Sequence, residues 1–216
     1  MTTAQSYDFS VCRFRPWVGP DYHDGAFDGM RILVLGESHY DFGLPAEEAS
    51  ELTNRVVLDH IHGAHRHKFL RNVSQVVLGL DAPESQAVGF WNAAAFYNYV
   101  QAYAGHSPGD RPAATAWQAA ASPFLHVLDQ LRPQLVLVCG IALWLHVREL
   151  PTNTEVIAYD PPFRRCRLWR AQTTSPCVAG VIRHPSGSRA FRSAEWYPHV
   201  QFYVSEARRI ANAASR

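Results

Sequence analysis

The sequence predicts an α/β fold, a three-layer αβα sandwich around a central, mainly parallel four-stranded sheet. Two observations support this prediction. Short apolar runs that stop at a glycine, 31–35 and 135–139, are typical of parallel strands buried on both faces. Segments with apolar residues at helical spacing alternate with strand-like runs along the chain, which indicates strands joined by helical crossovers.

The elements follow from local patterns. Residues 1–30, rich in Gly, Pro and aromatic side chains, are expected to form an irregular arm that packs on a single domain spanning the whole chain. Apolar residues at helical spacing behind an acidic first turn predict a helix over 46–62. The aromatic-rich run 90–100 predicts a strand that ends near Asn98. The other predicted elements are helices over 69–80, 113–131, 141–150 and 193–214, and strands over 156–158, 167–170 and 178–182.

Composition excludes several classes of protein. The chain has 216 residues, of which 47% are hydrophobic and 18% charged, and such a composition argues against a disordered chain. Its longest apolar stretch, 135–145, is shorter than the roughly 20 residues of a membrane-spanning helix. The first residues lack the basic and apolar regions of a secretory signal. We therefore expect a soluble, cytoplasmic protein, and we expect it to be a monomer.

Charge is unevenly distributed along the chain. Residues 1–108 carry seven basic and twelve acidic side chains, whereas residues 109–216 carry thirteen and seven. A surface of one sign suits a polyanion, although a solvated face in an arginine-rich chain is the plainer explanation. The arginines that we consider for phosphate contact in this half are Arg164, Arg165, Arg167 and Arg170.

Cysteine and histidine spacing predicts no metal site. The four cysteines are far apart and form no C-x-x-C pair, so we expect reduced thiols rather than a zinc site or a disulfide framework. A tract of histidines suggests a metal site, but no carboxylate or cysteine is spaced to complete it. These histidines are His60, His62, His65 and His67.

Polar residues follow three of the predicted strands. Glu37 and Ser38 come directly after the first strand, Asn98 ends the second, and His184 lies in a turn after the last. In open sheets of this type, ligands bind at the carboxyl ends of the strands. A carboxylate and a histidine at one crevice are able to transfer protons or to stabilise a leaving anion, although each alone is more often a turn or capping residue.

The order of these motifs resembles a known family. The stretches GESHY, FYNYVQ, RPAATAWQAAASPFLHVLDQLRPQLVLVCG and IRHPSGS occur in this order between residues 31 and 191. This arrangement resembles the uracil-DNA glycosylase superfamily, and most closely its iron–sulfur-bearing branch. The resemblance implies a uracil-DNA glycosylase-like fold. It also implies a DNA glycosylase that flips a uracil-like, deaminated or modified base from DNA and hydrolyses its N-glycosidic bond.

The resemblance assigns a pocket for the base. It places Gly36, His39 and Tyr40 in the turn that walls this pocket, with Tyr40 excluding a 5-methyl group. Phe42 is expected to stack on the base. Asn98 matches the amide that reads the base edge, because an amide offers both a donor and an acceptor.

The resemblance also assigns catalytic groups. His184 matches the histidine that donates a hydrogen bond to the departing base anion. Ser38 falls where the family has the carboxylate that positions the attacking water, and Glu37 is the nearest substitute for that charge. This departure implies a slower enzyme or a base that leaves more readily.

Contacts to DNA and the absence of a cofactor follow from the same comparison. Arg111, in the loop that matches the family's R-x-P-T motif, is assigned to DNA binding. The cluster-binding cysteines are missing, with Gln101 near one of their expected positions, so no cofactor is predicted. The family's phosphate-gripping loop, which also wedges the minor groove, covers Pro185, Ser186, Gly187, Ser188 and Arg189.

Two other functions remain open at this stage. A non-catalytic module of the same fold, which binds a modified base or DNA without cleaving it, agrees with the loss of the carboxylate at Ser38. A serine esterase would use Ser38 as nucleophile and His184 as base. That hypothesis lacks the usual Asp three residues before the histidine, where Val181 stands.

Overall fold

The protein forms a mixed α/β fold around one seven-stranded sheet. The structure, a computed structural model, describes residues 6–25, 27, 29–107, 109–150, 153–156, 166–170, 176–186 and 191–214. Strand order across the sheet is β1-β3-β2-β4-β7-β6-β5. The strands are β1 Trp17–Val18, β2 Ile32–Gly36, β3 Ala94–Asn98, β4 Leu135–Cys139, β5 Asn153–Val156, β6 Cys166–Arg170 and β7 Cys177–Ile182.

Four parallel strands form the centre of the sheet, and antiparallel strands extend both edges. β3, β2, β4 and β7 run parallel, which confirms the predicted α/β class with a parallel sheet. β1 pairs antiparallel with β3 at one edge; at the other edge, β6 pairs antiparallel with β7 and β5 pairs antiparallel with β6. The described sheet therefore has seven strands where we expected four. The additional strands are β1, whose two residues show no sequence pattern, and the edge strands β5 and β6, which were expected near 156–158 and 167–170 but not counted in the central sheet. Residues 157 and 158 lie outside the described residues.

Helices cover both faces of the sheet. Their bounds are α1 Leu52–Ile61, preceded by a 3-10 helix Ala46–Glu51, then α2 Lys68–Leu78, α3 Glu84–Ala93, α4 Ala114–Ala119, α5 Ala121–Leu131, α6 Ile141–Val147 and α7 Ser193–Ala214. Alternate residues of β2 show the two layers. Leu33 and Leu35 pack with side chains of α5 and α6, whereas Ile32 and Val34 pack with α2, α3 and α7. Because all four are fully buried, the central strands read as continuous apolar runs.

Two predicted elements differ from the structure. The run 90–100 was expected to be all strand, but residues 90–93 complete helix α3 before β3 begins. Phe90 and Trp91 are buried against the sheet from this helix, so their aromatic character reflects packing rather than strand pairing. The expected long helix over 113–131 is divided into α4 and α5 around Ala120.

The N-terminal arm packs against the sheet edge through several large side chains. Phe14, Trp17 and Tyr22 are buried, and the indole N–H of Trp17 donates to the carbonyl oxygen of Trp91 at 2.8 Å. The arm also contributes β1, which the sequence pattern did not predict. Among the helices described, none is long and apolar enough to cross a membrane.

Candidate functional site

The polar residues predicted from the sequence converge at the carboxyl edge of the parallel strands. Gly36 and Asn98 are paired in the register of β2 and β3, which brings the turn after β2 beside the end of β3. Backbone hydrogen bonds continue this pairing beyond the strands. The amides of Tyr99 and Val100 donate to the carbonyl oxygens of Gly36 and Glu37, at 3.0 and 2.9 Å. The two loops therefore hold Glu37 and Asn98 in fixed relative positions.

The Asn98 side-chain amide makes no hydrogen bond to the described part of the chain. The residue is only 5% exposed, but its amide atoms keep contact with solvent. Its backbone is fixed, because the Gln101 side-chain amide donates to the Asn98 carbonyl oxygen at 2.7 Å. The amide therefore lies at the edge of the strands with its donor and its acceptor both available. A ligand with one acceptor and one donor would bind both.

Gly36 leaves space for this amide. A Cβ atom at position 36 would overlap the Asn98 side-chain oxygen and press against the ring of Phe96. The glycine is thus required by close approach of the Asn98 side chain rather than by an unusual backbone conformation. This explains why the first motif begins with glycine directly opposite Asn98.

His184 lies at the same edge, beside the start of α6. A Cβ on Gly140, whose φ of 151° favours glycine, would lie 3.9 Å from Cδ2 of the imidazole. The ring also packs against Phe69 of α2, with 5.5 Å between ring centroids. Phe69 in turn contacts Phe96 of β3 at 5.4 Å. Phe69 therefore bridges the space between the His184 loop and the end of β3.

The hydrogen bonds of His184 define its protonation state. The backbone N–H of Ser186 donates to Nδ1 at 3.3 Å, so Nδ1 is an acceptor and the ring proton resides on Nε2. Burial lowers the pKa of His184, an effect that the nearby Glu37 carboxylate opposes and the Arg111 guanidinium reinforces. The imidazole is therefore neutral at pH 7 and presents Nε2–H as a donor.

Glu37 forms a two-contact ion pair with Arg111. Nη1 of Arg111 lies 2.9 and 3.2 Å from the two carboxylate oxygens. The Glu37 side chain is 10% exposed, whereas that of Arg111 is 70% exposed. A buried carboxylate is thus neutralised by a guanidinium that faces solvent. The predicted DNA contact Arg111 is in this structure a partner of the predicted catalytic residue Glu37.

The other residues of the first turn lie apart from this group. His39 is buried, with Nε2 3.0 Å from Oγ1 of Thr53, and its ring packs edge-on against Phe14. Desolvation lowers its pKa to about 3, so it is a neutral core residue. The Tyr40 hydroxyl accepts a hydrogen bond from the Gly109 amide at 3.3 Å. His39 thus contacts α1 and the N-terminal arm, and Tyr40 contacts the loop before Arg111.

Ser38 and Phe42 make fewer contacts. Ser38 is partly buried, and no hydrogen bond joins it to His184 among the residues that the structure describes. Phe42, the expected stacking ring, is 71% exposed. The rings beside His184 and Asn98 are instead those of Phe69 and Phe96.

The loop after β7 is described only in part. The Pro185 carbonyl oxygen accepts a hydrogen bond from the Asn72 side-chain amide at 2.7 Å, which ties the loop to α2. The Ser186 hydroxyl lies 3.3 Å from Nδ1 of His184. The predicted DNA-binding residues Gly187, Ser188 and Arg189 fall outside the described residues, as do Arg164, Arg165 and the side chains of Arg167 and Arg170.

Sequence reasoning missed three residues of this edge. Phe69, Asn72 and Gln101 contact His184, Pro185 and Asn98 respectively. Phe69 and Asn72 are three residues apart at the start of a helix and so share one face of it, a spacing that offered a weak signal. Gln101 was considered only as the position of a missing cluster ligand.

Two clefts in the described part of the chain are lined by residues other than the polar group at this edge. A cleft of about 580 Å³ beside α4 and α6 is lined by Tyr99, Trp117 and His146, and one of about 570 Å³ lies along the N-terminal arm. Neither is lined by Glu37, Asn98 or His184. Within the described residues, no group of three or more His, Cys, Asp or Glu side chains is placed to hold a metal ion.

The arrangement combines three chemical capabilities. Asn98 offers a donor and an acceptor, His184 offers a neutral N–H donor, and Glu37 offers a carboxylate. A neutral imidazole donor stabilises an anion that develops on an oxygen, as other fixed donors do in acyl transfer.

No protein-family model matches the chain, and no match was found among curated proteins.

Proposed function

We propose that the protein is a monofunctional DNA glycosylase-like N-glycosyl hydrolase with a uracil-DNA glycosylase-like fold, acting on a flipped uracil-like, deaminated or modified base. The main support is the Asn98 amide at the strand ends, which bonds to no other group among the described residues and keeps contact with solvent. A keto–imide edge, such as O4 and N3 of a pyrimidine, presents the acceptor and donor that this amide lacks. The proposal needs no metal or organic cofactor.

The chemistry would proceed by breaking the bond between the base nitrogen and C1′ of the sugar. The bonding electron pair leaves with the base, which becomes an anion, and the sugar acquires oxocarbenium character. His184 would donate Nε2–H to the base oxygen on which this charge develops. A water oxygen then bonds to C1′ and its proton passes to Glu37 or to solvent, which leaves an abasic site and the free base.

Several side chains support the other requirements of such a reaction. Phe69, which is only partly buried, provides aromatic surface for a flipped base next to His184. Lys68 and Arg71, which directly precede Phe69 and Asn72 in α2, are exposed cations suited to backbone phosphates. The partner proposed is therefore DNA, with contacts around the edge of the parallel strands.

A panel of oligonucleotides, each with one modified or deaminated base, tests the proposal. After incubation, alkaline cleavage reveals abasic sites. We expect a product from at least one base, with a rate about 100-fold lower or more in Asn98→Ala and His184→Ala, the order found when a transition-state hydrogen-bond donor is lost. Arg55→Gln, which removes an exposed cation of α1, serves as the control and should retain the rate. If Asn98→Ala and His184→Ala both retain it too, the proposed roles are wrong.

The observation that Arg111 neutralises Glu37 favours a second candidate. With Ser38 uncharged and Glu37 paired, the same site would bind a base without hydrolysing it. Such a module would bind an oligonucleotide that carries the recognised base and yield no alkali-sensitive strand. The panel separates the two functions, because only the glycosylase yields abasic product. No observation of this kind favours the esterase.

A further inference from the structure

The pairing of Arg111 with Glu37 has a consequence for the neighbouring histidine. We propose that Arg111 is a positioning residue of this site, which fixes the Glu37 carboxylate and balances its charge beside the His184 imidazole. The chemical significance of this balance rests on the function proposed above. The balance itself is a property of the free protein.

Arg111 holds the Glu37 carboxylate in one position. One guanidinium nitrogen lies within 3.2 Å of both oxygens of Glu37, which restricts rotation of the carboxylate. Backbone hydrogen bonds hold both ends of the Glu37 peptide unit, since the amides of Tyr99 and Val100 donate to Gly36 and Glu37. Fixed from both sides, Glu37 is presented in one orientation.

Glu37 and Arg111 also act on His184 through their charges. Of the charged groups in the described part of the chain, Glu37 and Arg111 are the two that act on the pKa of His184, and they act in opposite directions. Removal of Arg111 would leave a buried anion next to the imidazole and would favour the imidazolium form. α2, which packs against the ring through Phe69, also carries the exposed cations Lys68 and Arg71, and Arg183 directly precedes His184. None of these three is among the groups that shift the pKa of His184.

The balance of charge between Glu37 and Arg111 matters for the proposed reaction, in which the departing base becomes an anion. A neutral imidazole donates one hydrogen bond to a departing anion and keeps its own proton. An uncompensated Glu37 carboxylate would, in addition, repel an anionic leaving group and the phosphates of the substrate. Glu37 is the only buried carboxylate among the described residues, and Arg111 balances its charge. This balance favours a reaction in which negative charge develops on the base.

An NMR titration measures the protonation of His184 directly and without substrate. The ring signals of histidine-labelled protein are followed by NMR as a function of pH, and His184→Gln identifies the signal of His184. We expect the pKa of His184 to rise in Arg111→Gln, to return toward the wild-type value in Glu37→Gln/Arg111→Gln, and to stay near that value in Arg111→Lys. Arg55→Gln, which breaks the exposed pair of Arg55 with Glu48, should leave it unchanged.

The outcomes separate this proposal from the proposed function. If His184 titrates alike in the wild type and in Arg111→Gln, the charge balance is refuted even when the wild type excises a base. If the shift occurs but no oligonucleotide yields abasic product, the balance stands and the glycosylase fails. With an active enzyme, we expect Arg111→Gln to lower kcat about tenfold, with the acid limb of the pH–rate profile moved upward and Arg111→Lys restoring both. An unchanged profile would contradict the proposal.

Discussion

The Asn98 amide makes a testable demand on stability, because it has no hydrogen-bond partner within the described residues. Replacement by Leu keeps the branched shape of the side chain and breaks no hydrogen bond to these residues. The amide atoms keep contact with solvent, so their removal relieves only part of the roughly 1–3 kcal/mol that a fully buried, unsatisfied amide costs. Because leucine methyl groups are bulkier than the amide atoms against Gly36, overpacking offsets this gain. We therefore expect the free energy of unfolding of Asn98→Leu to stay within about 1 kcal/mol of the wild-type value.

Asn72 provides the matched control. It is 6% exposed, against 5% for Asn98, but its amide donates to Pro185 at 2.7 Å. Asn72→Leu leaves that carbonyl oxygen without its donor and should lower the free energy of unfolding by about 1–3 kcal/mol. Urea unfolding measures both variants, and thermal unfolding should show about 2–4 °C per kcal/mol. Equal losses of stability in the two variants would refute the inference that the Asn98 amide makes no hydrogen bond to the protein.

Other expected outcomes follow from the same structure. Gly36→Ala should lower the free energy of unfolding by about 1–3 kcal/mol through overlap with Asn98 and should weaken base binding; equilibrium unfolding with wild-type stability would contradict the close contact. Because the folded-state pKa of His39 is about 3 against 6.5 for an unperturbed histidine, the unfolded state binds more protons between these values. Acidification from pH 6.5 to 3 should therefore lower the free energy of unfolding by up to about 1.4 kcal/mol per pH unit through this group. Urea unfolding at several pH values should show a smaller loss of this free energy in His39→Gln. For DNA binding, Lys68→Gln and Arg71→Gln should each reduce the slope of log Kd against log salt by about one; an unchanged slope would place the phosphates elsewhere.

Local sequence patterns predicted the parallel strands well, and the reason is physical. A strand buried on both faces must be apolar at every position, so β2 and β4 stand out as runs bounded by glycine. The segment 90–93 was misassigned because its aromatic side chains satisfy the burial requirements of a helix and of a strand equally. The break at Ala120 between α4 and α5 falls in an alanine-rich stretch, but Pro123 in the first turn of α5 lacks the N–H that a continuous helix would need, and this signal was overlooked.

The site was predictable only in part. Asn98 and His184 follow strands, and strand ends of a parallel sheet meet at one edge, so their neighbourhood could be expected. The Glu37–Arg111 pair joins loops 74 residues apart, and no local pattern encodes such a contact. The role of Phe69 was hidden for the same reason, since it depends on α2 packing across the ends of β3 and β7.

The Gln101 side chain joins distant parts of the molecule. Its amide nitrogen donates to the Asn98 carbonyl oxygen, while its carbonyl oxygen accepts the backbone N–H of Phe14. One planar group thereby couples the N-terminal arm to the strand end that presents Asn98. Loosening the arm would release the backbone beneath the proposed recognition residue, so substitutions near Phe14 are expected to alter ligand selectivity without contacting any bound molecule.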